Sequence, residues 1–420
     1  MNTTDQPTVS QPDDAQDPAA LTLADALARI DAILEPVRDG EWINVEHALG
    51  RVLATAVPAP FDVPPFRNSA MDGYALRSSD LAATREFNVI GRATAGHPYE
   101  GQVRTGECVR IMTGAVVPDE CDMVVMQERA RVTHQGVEIP ASACPGQNIR
   151  NPGDDMARGA RILLAGRKLN AADVGLLASL GLAQIEVIRP LRVSVFSTGD
   201  ELVSLGSPLR TGQIYDSNRY TFRALLQRIG IHAIDLGVLP DDPTVLRHAL
   251  AEAAATSDAI LTSGGVSVGE ADFVKSVLEQ LGHIEFCKLA IKPGKPLAFG
   301  KIGQSLFFGL PGNPVSLMVT FLLIVRRTLE QLAGGHPSDI LKLTAKARHA
   351  LSKDRGRQEY QRGIFTQDPA GMIQVETTGL QGSHVLSSMS NANCLIVLPW
   401  DCEQVAAGES VTIIPLALLL

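Results

Sequence analysis

Residues 260–282 read ILTSGGVSVGEADFVKSVLEQLG, and this stretch predicts a strand, a glycine loop and a helix in succession. Its apolar start ends at Ser-Gly-Gly, after which apolar residues recur at helical spacing over 274–281 until Gly282. Such a loop directs free backbone N–H groups and the positive end of the helix dipole at one point, which suits an oxyanion. Glu270 and Ala271 stand where a P-loop has Lys and Ser/Thr, so that nucleotide fingerprint does not fit. A plain βα turn explains the loop equally well, and the neighbouring segments must decide.

The segments around this stretch alternate between strand and helix patterns. LRVSVFS at 191–197 and HAIDLGVL at 232–239 predict strands, and helices follow at 218–229, with Ser217 as its cap, and after Asp242-Pro243. PLAFG and SLFFGL then lead to Asn313-Pro314, another cap and proline that predict a helix start. This alternation is typical of a doubly wound α/β sheet, whose ligands bind beyond the carboxyl ends of the strands.

The remaining segments predict further domains around this α/β unit of 191–336. Residues 1–18 form an acidic leader, and 58–156 form a β-rich insert of short strands broken by Gly, Pro and Asp. Helical patterns at 23–34 and 171–180 flank the insert, so 19–57 and 157–190 are assigned to one discontinuous helical linker domain. Short strands with Gly and Asp turns at 337–420 predict a small C-terminal β-barrel. The fold class is therefore multidomain α/β.

Composition excludes several classes of function. The 420 residues are 45% hydrophobic with a net charge of −9, so the chain can bury several cores but lacks the basic face of a nucleic-acid binder. No apolar stretch reaches the ~20 residues of a membrane helix, and the N-terminus has no signal-peptide pattern. The six cysteines form no C-x-x-C pair, which favours reduced thiols and a cytoplasmic location.

Acidic residues follow the ends of three predicted strands. Glu201 lies in STGDE after the first, Asp241 lies in PDD after the second, and Asp272 lies beyond the glycine loop of the third. Carboxylates gathered there suit Mg²⁺, which takes oxygen ligands and keeps substrate phosphates in its shell. Helix capping is the alternative, and it explains Asp242 better than metal binding does. For Glu201 and Asp272 both interpretations remain open.

Cations and stiff loops complete the pattern. CKLAIKPGKPLAFG places Lys288, Lys292 and Lys295 around a Pro-Gly-Lys-Pro turn, which predicts a preorganised cationic rim rather than a basic tail. GLPGNP at 309–314 delivers another strand into a helix start. Within the insert, PPFRNSAMDGYA, RIMTGA and NIRNPGDDMARG keep polar residues on irregular backbone, which composition alone does not explain.

Seven motifs, in order over nearly the whole chain, resemble the molybdopterin molybdenumtransferase family, which comprises bacterial MoeA and the E domain of gephyrin. They are PPFRNSAMDGYA, RIMTGA, NIR..GDD, STGDEL, TSGGVSVGEADF, KLAIKPGKP and GLPGNPVS. The resemblance implies a MogA-like α/β domain and Mg²⁺-dependent insertion of molybdate into adenylylated molybdopterin with release of AMP. It also implies an elongated homodimer of four-domain subunits, each active site lying between the α/β domain of one chain and the insert of the other.

The resemblance also implies roles for individual residues. Glu201, Asp241 and Asp272 would bind metal and position substrate, Lys288 and Lys292 would meet phosphate and molybdate charge, and the partner's insert would supply Asp72, Thr113, Arg150 and Asp155. Substrate contacts are further expected from Ser263, Gly264, Gly265, Ser267, Gly269, Lys295, Pro311, Gly312, Asn313 and Pro314. NIRNPGDD departs from the commoner family form, with Asp154 where Glu is frequent. GRQEYQRG at 356–363 and GSHVLSSMSNAN look family-like without an assigned role.

Two other functions compete with this enzyme. A scaffold protein that keeps the fold for partner binding, as gephyrin does, is disfavoured because the acidic and lysine motifs are retained and no second catalytic domain is appended. The related adenylyltransferase of the preceding step, a possible partner, shares the α/β core. The adenylyltransferase interpretation would leave the roughly 270 residues outside 191–334 without a function, since they are enough for further domains.

Overall fold

The structure is a computed structural model that describes residues 19–265, 272–337 and 339–419. The chain forms two compact units. The first unit contains Met1–Glu41, Gly50–Val52 and Val187–Leu420, and the second contains Trp42–Leu49 and Leu53–Glu186. In the described ranges, no helix has the length and apolar character needed to cross a membrane.

Helix α1 (Leu23–Ile33) begins at a capping box. The Thr22 hydroxyl accepts from the Asp25 N–H at 3.1 Å, and the Asp25 carboxylate accepts from the Thr22 N–H at 3.3 Å. These bonds satisfy two donors that a helix N-terminus leaves open. The apolar face of the helix places Ala26 and Ile30 in the core of the first unit.

The regular elements between α1 and the α/β sheet are mainly short strands, and those within 58–156 agree with the predicted β-rich segment. Its elements are β1 (Gly40–Asn44), β2 (Val57–Pro58), β3 (Asn68–Ser69), β4 (Gly73–Leu76), β5 (Glu86–Ala93), β6 (Glu107–Ile111), β7 (Met123–Met126), β8 (Arg131–Val132), β9 (Val137–Glu138), β10 (Ile149–Arg150), β11 (Arg161–Leu163), α2 (Ala171–Ser179) and β12 (Gln184–Ile188). Six of these strands form one sheet in the order β7-β4-β6-β5-β9-β8. Alternate residues of β4 enter two separate apolar clusters, so both faces of this sheet are covered.

The two helices that flank the insert fall in different units, α1 in the first and α2 in the second. The sequence pattern placed both in one discontinuous domain, because an apolar stripe shows that a helix packs without showing what it packs against. Asn170 caps α2 as predicted, and its side chain accepts from the Asp173 N–H at 3.0 Å. The finer division into four domains remains a prediction.

The α/β region carries the predicted alternation. Its elements are β13 (Val193–Thr198), β14 (Leu202–Val203), β15 (Ile214–Tyr215), α3 (Asn218–Arg228), β16 (Ala233–Leu239), α4 (Pro243–Thr256), β17 (Ala259–Ser263), α5 (Asp272–Leu281), β18 (Gly282–Lys288), β19 (Ile291–Lys292), β20 (Pro296–Ile302), β21 (Ser305–Leu310), α6 (Pro314–Thr320) and α7 (Arg326–Leu332). A π-helical segment, Phe321–Val325, joins α6 to α7. The main sheet has the order β16-β13-β17-β21-β20-β18.

This sheet is mixed rather than wholly parallel. β16, β13, β17 and β21 run parallel, whereas β20 is antiparallel to both of its neighbours. One face packs its apolar side chains with α1, α3, α6 and α7, and the other packs with α4 and α5. The sheet is therefore covered on both sides, as the near-continuous apolar strands require.

The C-terminal region is the predicted small barrel. It contains β22 (Leu343–Ala347), β23 (Leu351–Ser352), β24 (Gln358–Gln367), β25 (Ile373–Thr377), α8 (Leu386–Ser390), β26 (Cys394–Leu398), β27 (Gln404–Val405) and β28 (Ser410–Pro415). The strand order β24-β25-β22-β28-β26 closes on itself because β24 also pairs with β26. β19 adds to the free side of β24 in parallel, so the α/β region and the barrel share a backbone ladder.

A charged pair secures the base of the α/β sheet. Arg189 donates two hydrogen bonds to the two carboxylate oxygens of Asp258, each 2.8 Å long, and the Arg192 N–H donates to Asp258 at 2.7 Å. Burial alone would raise the pKa of Asp258, but these donors outweigh burial and lower it. A carboxyl with a lowered pKa stabilises the fold above its unfolded pKa, and that stability is lost as the pH falls.

Asp258→Asn is expected to lower the free energy of unfolding by about 2 kcal/mol at neutral pH, because hydrogen bonds to charged groups are lost. The difference from wild type should shrink as the pH falls below about 4, where the unfolded wild-type carboxyl takes up a proton. Urea-unfolding midpoints over a pH series measure this. Asp39→Asn is the control, since Asp39 accepts from the same arginine but its side chain is 73% exposed. A gap that is constant with pH would rule out the charge as the cause.

Candidate active site

The strand order creates a topological switch point between β13 and β17. From β13 the chain crosses to β16 on one side, and it then returns to β17 on the other. The connections therefore part at the carboxyl ends of β13 and β17, where open α/β sheets form a binding crevice. The segment after β13, the loop after β17 and the loop after β21 all begin at this edge. The sheet thus has the switch point at which a doubly wound fold, as the sequence predicts, places its ligands.

The predicted glycine loop follows β17 directly. Gly264 and Gly265 have φ values of +91° and +68°, which favour glycine. A Cβ on Gly264 would lie 2.8 Å from the Thr198 carbonyl oxygen, and one on Gly265 would lie 3.2 Å from Val274. The loop is therefore held against the end of β13. Ser267 and Gly269, which the sequence also assigns to this loop, lie outside the described residues.

Asn218 joins two of the predicted loops, and sequence reasoning missed it. Its side-chain N–H donates to the Ser263 hydroxyl at 2.7 Å and to the Gly312 carbonyl at 2.6 Å. Because the Gly312 carbonyl can only accept, it sets the orientation of the Asn218 amide. The Asn218 Oδ1 is buried and has no hydrogen-bond partner among the described residues. The sequence signal is weak, since Asn218 is simply the first residue of the helix predicted at 218–229.

Acidic residues meet at the ends of β13 and β16. Burial raises the pKa of Asp241, and the nearby carboxylates of Asp200 and Glu201 raise it further. Glu201 folds back toward Gly199, where an added Cβ would lie 2.5 Å from the Glu201 carboxylate. The neighbouring Asp242 is the N-cap of α4, accepting from Thr244 and Val245 N–H at 2.8 and 3.0 Å. The capping interpretation of Asp242 is thus confirmed.

The third predicted metal ligand is only partly defined. Asp272 is the first residue of α5, and its side chain is outside the described part. In that part, no group of three or more His, Cys, Asp or Glu residues is arranged to hold a metal ion. Mg²⁺ does not need such a group, because it commonly takes one or two carboxylates and completes its shell with water and substrate phosphate. Glu201 and Asp241 bring hard carboxylate oxygens to neighbouring strand ends, after β13 and β16.

The three predicted lysines surround the turn between β18 and β20. Lys288 ends β18 opposite Pro296, and the Lys295 carbonyl accepts from the Leu289 N–H at 2.6 Å. Lys292 contacts the barrel, with its Nζ 3.3 Å from Glu359 and 3.8 Å from Asp354. A Cβ on Gly294 would lie 2.8 Å from the Thr320 hydroxyl, so the turn is packed against α6. The cationic rim remains a prediction, and a barrel carboxylate as the partner of Lys292 is not part of it.

The GLPGNP loop connects β21 to α6. Pro311 is buried, and Pro314 is the first residue of α6. Asn313 occupies the N-cap position but its side chain makes no cap hydrogen bond, and the same is true of Ser217 at α3. The predicted helix starts are thus found, whereas the predicted side-chain caps at these two positions are wrong. The Gly312 carbonyl is used instead by Asn218.

The second unit carries its own polar site. Asp72 accepts from the N–H and the hydroxyl of Thr113 at 2.7 and 2.8 Å, although the two residues are 41 positions apart. The hydrogen bond from the Thr113 N–H does most to lower the pKa of Asp72, and the bond from the Thr113 hydroxyl comes next. The positive charges of Arg110 and Arg92 lower it further. Arg110 also lies over the Tyr74 ring, 4.9 Å from its centroid. The pair is a half-buried carboxylate with a fixed, exposed hydroxyl beside cationic groups.

Two further predicted residues of the second unit lie in separate local structures. Arg150 pairs with Asn68 across β10 and β3 and is exposed. Asp155 is exposed in the turn after it, and its N–H donates to the Val63 carbonyl at 3.0 Å. The Asp154 carboxylate closes that turn by accepting from the Asn151 N–H at 2.7 Å. Asp154 therefore has a structural role in the segment that departs from the family pattern.

These features define a class, namely proteins with a molybdopterin-binding α/β domain. Residues 194–331 match the family described as a probable molybdopterin binding domain. Residues 21–181 match the MoeA N-terminal region (domain I and II), and residues 344–416 match the MoeA C-terminal region (domain IV). The three matches follow one another along the chain in the order of the domains.

Whole-chain comparisons specify the family. The chain is 44% identical over 405 residues to the molybdopterin molybdenumtransferase of Haemophilus influenzae, covering 95% of this chain and 100% of that one. It is 34% identical to gephyrin of Dictyostelium discoideum, covering 88% of this chain and 58% of that one. A crystal structure of a molybdopterin biosynthesis moeA protein from Pyrococcus horikoshii OT3 matches with a TM-score of 0.81 at 28% identity, covering 94% and 100% of the two chains. The chain belongs to the molybdopterin molybdenumtransferase (MoeA) family.

Proposed function

We propose that this protein inserts molybdate into adenylylated molybdopterin, with Mg²⁺ bound and with release of AMP. Its family is one of transferases in molybdenum cofactor biosynthesis. The observation that carries the finer proposal is the switch point between β13 and β17, where the Gly264-Gly265 loop lies against the end of β13 and the carboxylates of Glu201 and Asp241 follow the ends of β13 and β16. Backbone N–H groups beside carboxylates suit a substrate that is anionic and that brings a divalent cation.

Charge repulsion is the main obstacle to this reaction. Molybdate is a dianion, and the pterin substrate carries phosphate and pyrophosphate groups. Glu201 and Asp241, together with Asp272, would hold Mg²⁺, which when bound supplies positive charge to phosphate oxygens. Lys288, Lys292 and Lys295 would neutralise the remaining charge, and the glycine loop would donate backbone hydrogen bonds. The raised pKa of Asp241 supports this role, because a crowded carboxylate gains most from a cation.

We further propose that the active species is a homodimer and that Asp72, Thr113, Arg150 and Asp155 serve the partner's crevice. The support is that Asp72 and Thr113 form a preorganised pair whose hydrogen bonds leave one carboxylate oxygen for a ligand. The substrate would come from an adenylyltransferase acting in the preceding step. The six free cysteines support a reducing, cytoplasmic setting.

A direct assay tests the proposal. Purified protein, sedimenting as a dimer, is expected to release AMP and form active cofactor when supplied with adenylylated molybdopterin, molybdate and Mg²⁺. Omission of molybdate or chelation of Mg²⁺ should stop both products. Tight binding of the adenylylated pterin with no AMP release under any condition would favour the scaffold function. Formation of adenylylated pterin from ATP would favour the adenylyltransferase instead.

A further inference from the structure

Glu359 is a carboxylate buried where the barrel meets the α/β region. Its side chain is only 6% exposed. The Oε1 atom accepts a hydrogen bond from the Gln361 amide at 3.0 Å, whereas Oε2 has no hydrogen bond within the described residues. Burying a charged oxygen in this state is costly unless a cation compensates it. The nearest recorded cation is the Lys292 ammonium, 3.3 Å from Oε2.

The backbone holds this ion pair in place from both sides. Lys292 on β19 stands opposite Glu359 on β24 in a parallel register, and the Gln358 N–H donates to the Ala290 carbonyl at 2.9 Å. The backbone of both residues is therefore held in place independently of the contact between their side chains. The Lys292 side chain remains 38% exposed, so one side of its ammonium faces the barrel and another is open. Such a lysine can be held by one anion while it binds a second.

Two other cations lie near Glu359, the half-buried Lys353 and the buried Arg362. Lys353 Nζ donates to the carbonyls of Asp354, Arg357 and Trp400. The Arg362 guanidinium donates to the Ser388 hydroxyl and to the carbonyls of Tyr360 and Gly382. The Glu359 charge works against the burial that lowers the pKa of Lys353 and of Arg362, so these two cations share in its compensation, and Lys292 is the cation that contacts it.

A second carboxylate near Lys292 differs in kind. Asp354 Oδ2 lies 3.8 Å from the same ammonium, and its side chain is 66% exposed. An exposed pair at that distance contributes little, because water and salt screen it. An incoming oxyanion could displace Asp354 at small cost, whereas displacing Glu359 would leave a buried charge uncompensated. The two carboxylates thus divide into a fixed anchor and a replaceable neighbour.

We propose that Glu359 is a positioning residue that anchors Lys292 from the barrel, so that the open side of the ammonium is presented to the oxyanion substrate. This inference rests on the proposed function, in which Lys292 meets the charge of molybdate or phosphate. It assigns a role to the GRQEYQRG segment, for which the sequence suggested none. It also gives the barrel a part in the chemistry of the α/β domain.

A double-mutant cycle tests the anchor without relying on activity. Lys292→Met is expected to lower the urea-unfolding midpoint because it leaves Glu359 buried without its cation. Adding Glu359→Gln should restore part of that loss, so the double variant should be more stable than Lys292→Met alone. Independent, additive shifts in the midpoint would overturn the proposal. Asp354→Asn removes the same charge beside the same lysine and is expected to leave the midpoint unchanged.

Turnover gives the second readout. Glu359→Gln is expected to lower kcat about tenfold, because the Lys292 ammonium loses its position. The KM for molybdate should not rise, because the same substitution removes a negative charge that competes with the oxyanion for Lys292. In the Lys292→Met background the same change should cause no further loss, whereas general damage would lower kcat equally in both. If Glu359→Gln does not fold, Glu359→Asp replaces it, with a smaller loss of kcat expected. Coupled stabilities in a protein that releases no AMP would refute the proposed function while the anchor stands.

Discussion

Asp241→Asn is expected to lower AMP release by about 100-fold or more, because it removes an oxygen charge at the place where Mg²⁺ and phosphate are proposed to bind. The thermal stability of the Asp241→Asn variant should not fall together with its activity. Burial and the carboxylates of Asp200 and Glu201 raise the pKa of Asp241, so its ionised form opposes folding at neutral pH. The variant should therefore unfold at the same or a higher temperature than wild type without Mg²⁺. Thermal unfolding measured with and without Mg²⁺ should show that the metal raises the unfolding temperature of wild type but not that of the variant.

Asp242→Asn is the matched control for this prediction. It changes the same charge at the next position, but Asp242 caps α4, and asparagine caps as well as aspartate does. Its turnover and its response to Mg²⁺ should stay close to those of wild type. Equal losses in both variants would show that overall charge at this edge, rather than the position of Asp241, determines activity.

Gly264→Ala is expected to abolish turnover and to lower the free energy of unfolding by about 3 kcal/mol. Its φ of +91° costs an L-residue about 1–2 kcal/mol. The added Cβ would also lie 2.8 Å from the Thr198 carbonyl oxygen, so the loop must move away from β13 at a further cost of about 1–3 kcal/mol. The shift would also break the hydrogen bond from the Gly264 N–H to the Leu310 carbonyl and displace the loop that is proposed to bind substrate. Urea unfolding and AMP release measure the two effects.

Gly237→Ala separates backbone strain from the steric clash. Gly237 has a φ of +81°, and a Cβ there would meet nothing within 4 Å. Only the strain remains, so this variant should lose about 1–2 kcal/mol and keep its turnover. If Gly264→Ala behaves in the same way, the close approach of the loop to β13 is not needed for function.

Local signals in the sequence predicted most of the α/β region and its crevice. Helical spacing, the Asp242-Pro243 start and the Gly-Gly turn each depend on residues close together in the chain, and the structure confirms the elements they predicted. The antiparallel β20 was not predicted, since an apolar run does not show which neighbours a strand will pair with. The assignment of α1 and α2 to one discontinuous domain stays a prediction, and the structure gives only that they lie in different compact units.

The sequence by itself determined the succession of strands and helices, the glycine loop, the positions of the acidic residues and lysines, and the family. Only the tertiary structure decided which of these groups touch. It brought Thr113 to Asp72 across 41 positions, gave Asn218 a bond to each of two loops, and placed Glu359 of the barrel against Lys292. The physical reason is range. Turn and helix preferences act over a few residues, whereas strand register and side-chain pairing depend on contacts between segments that are distant in the chain.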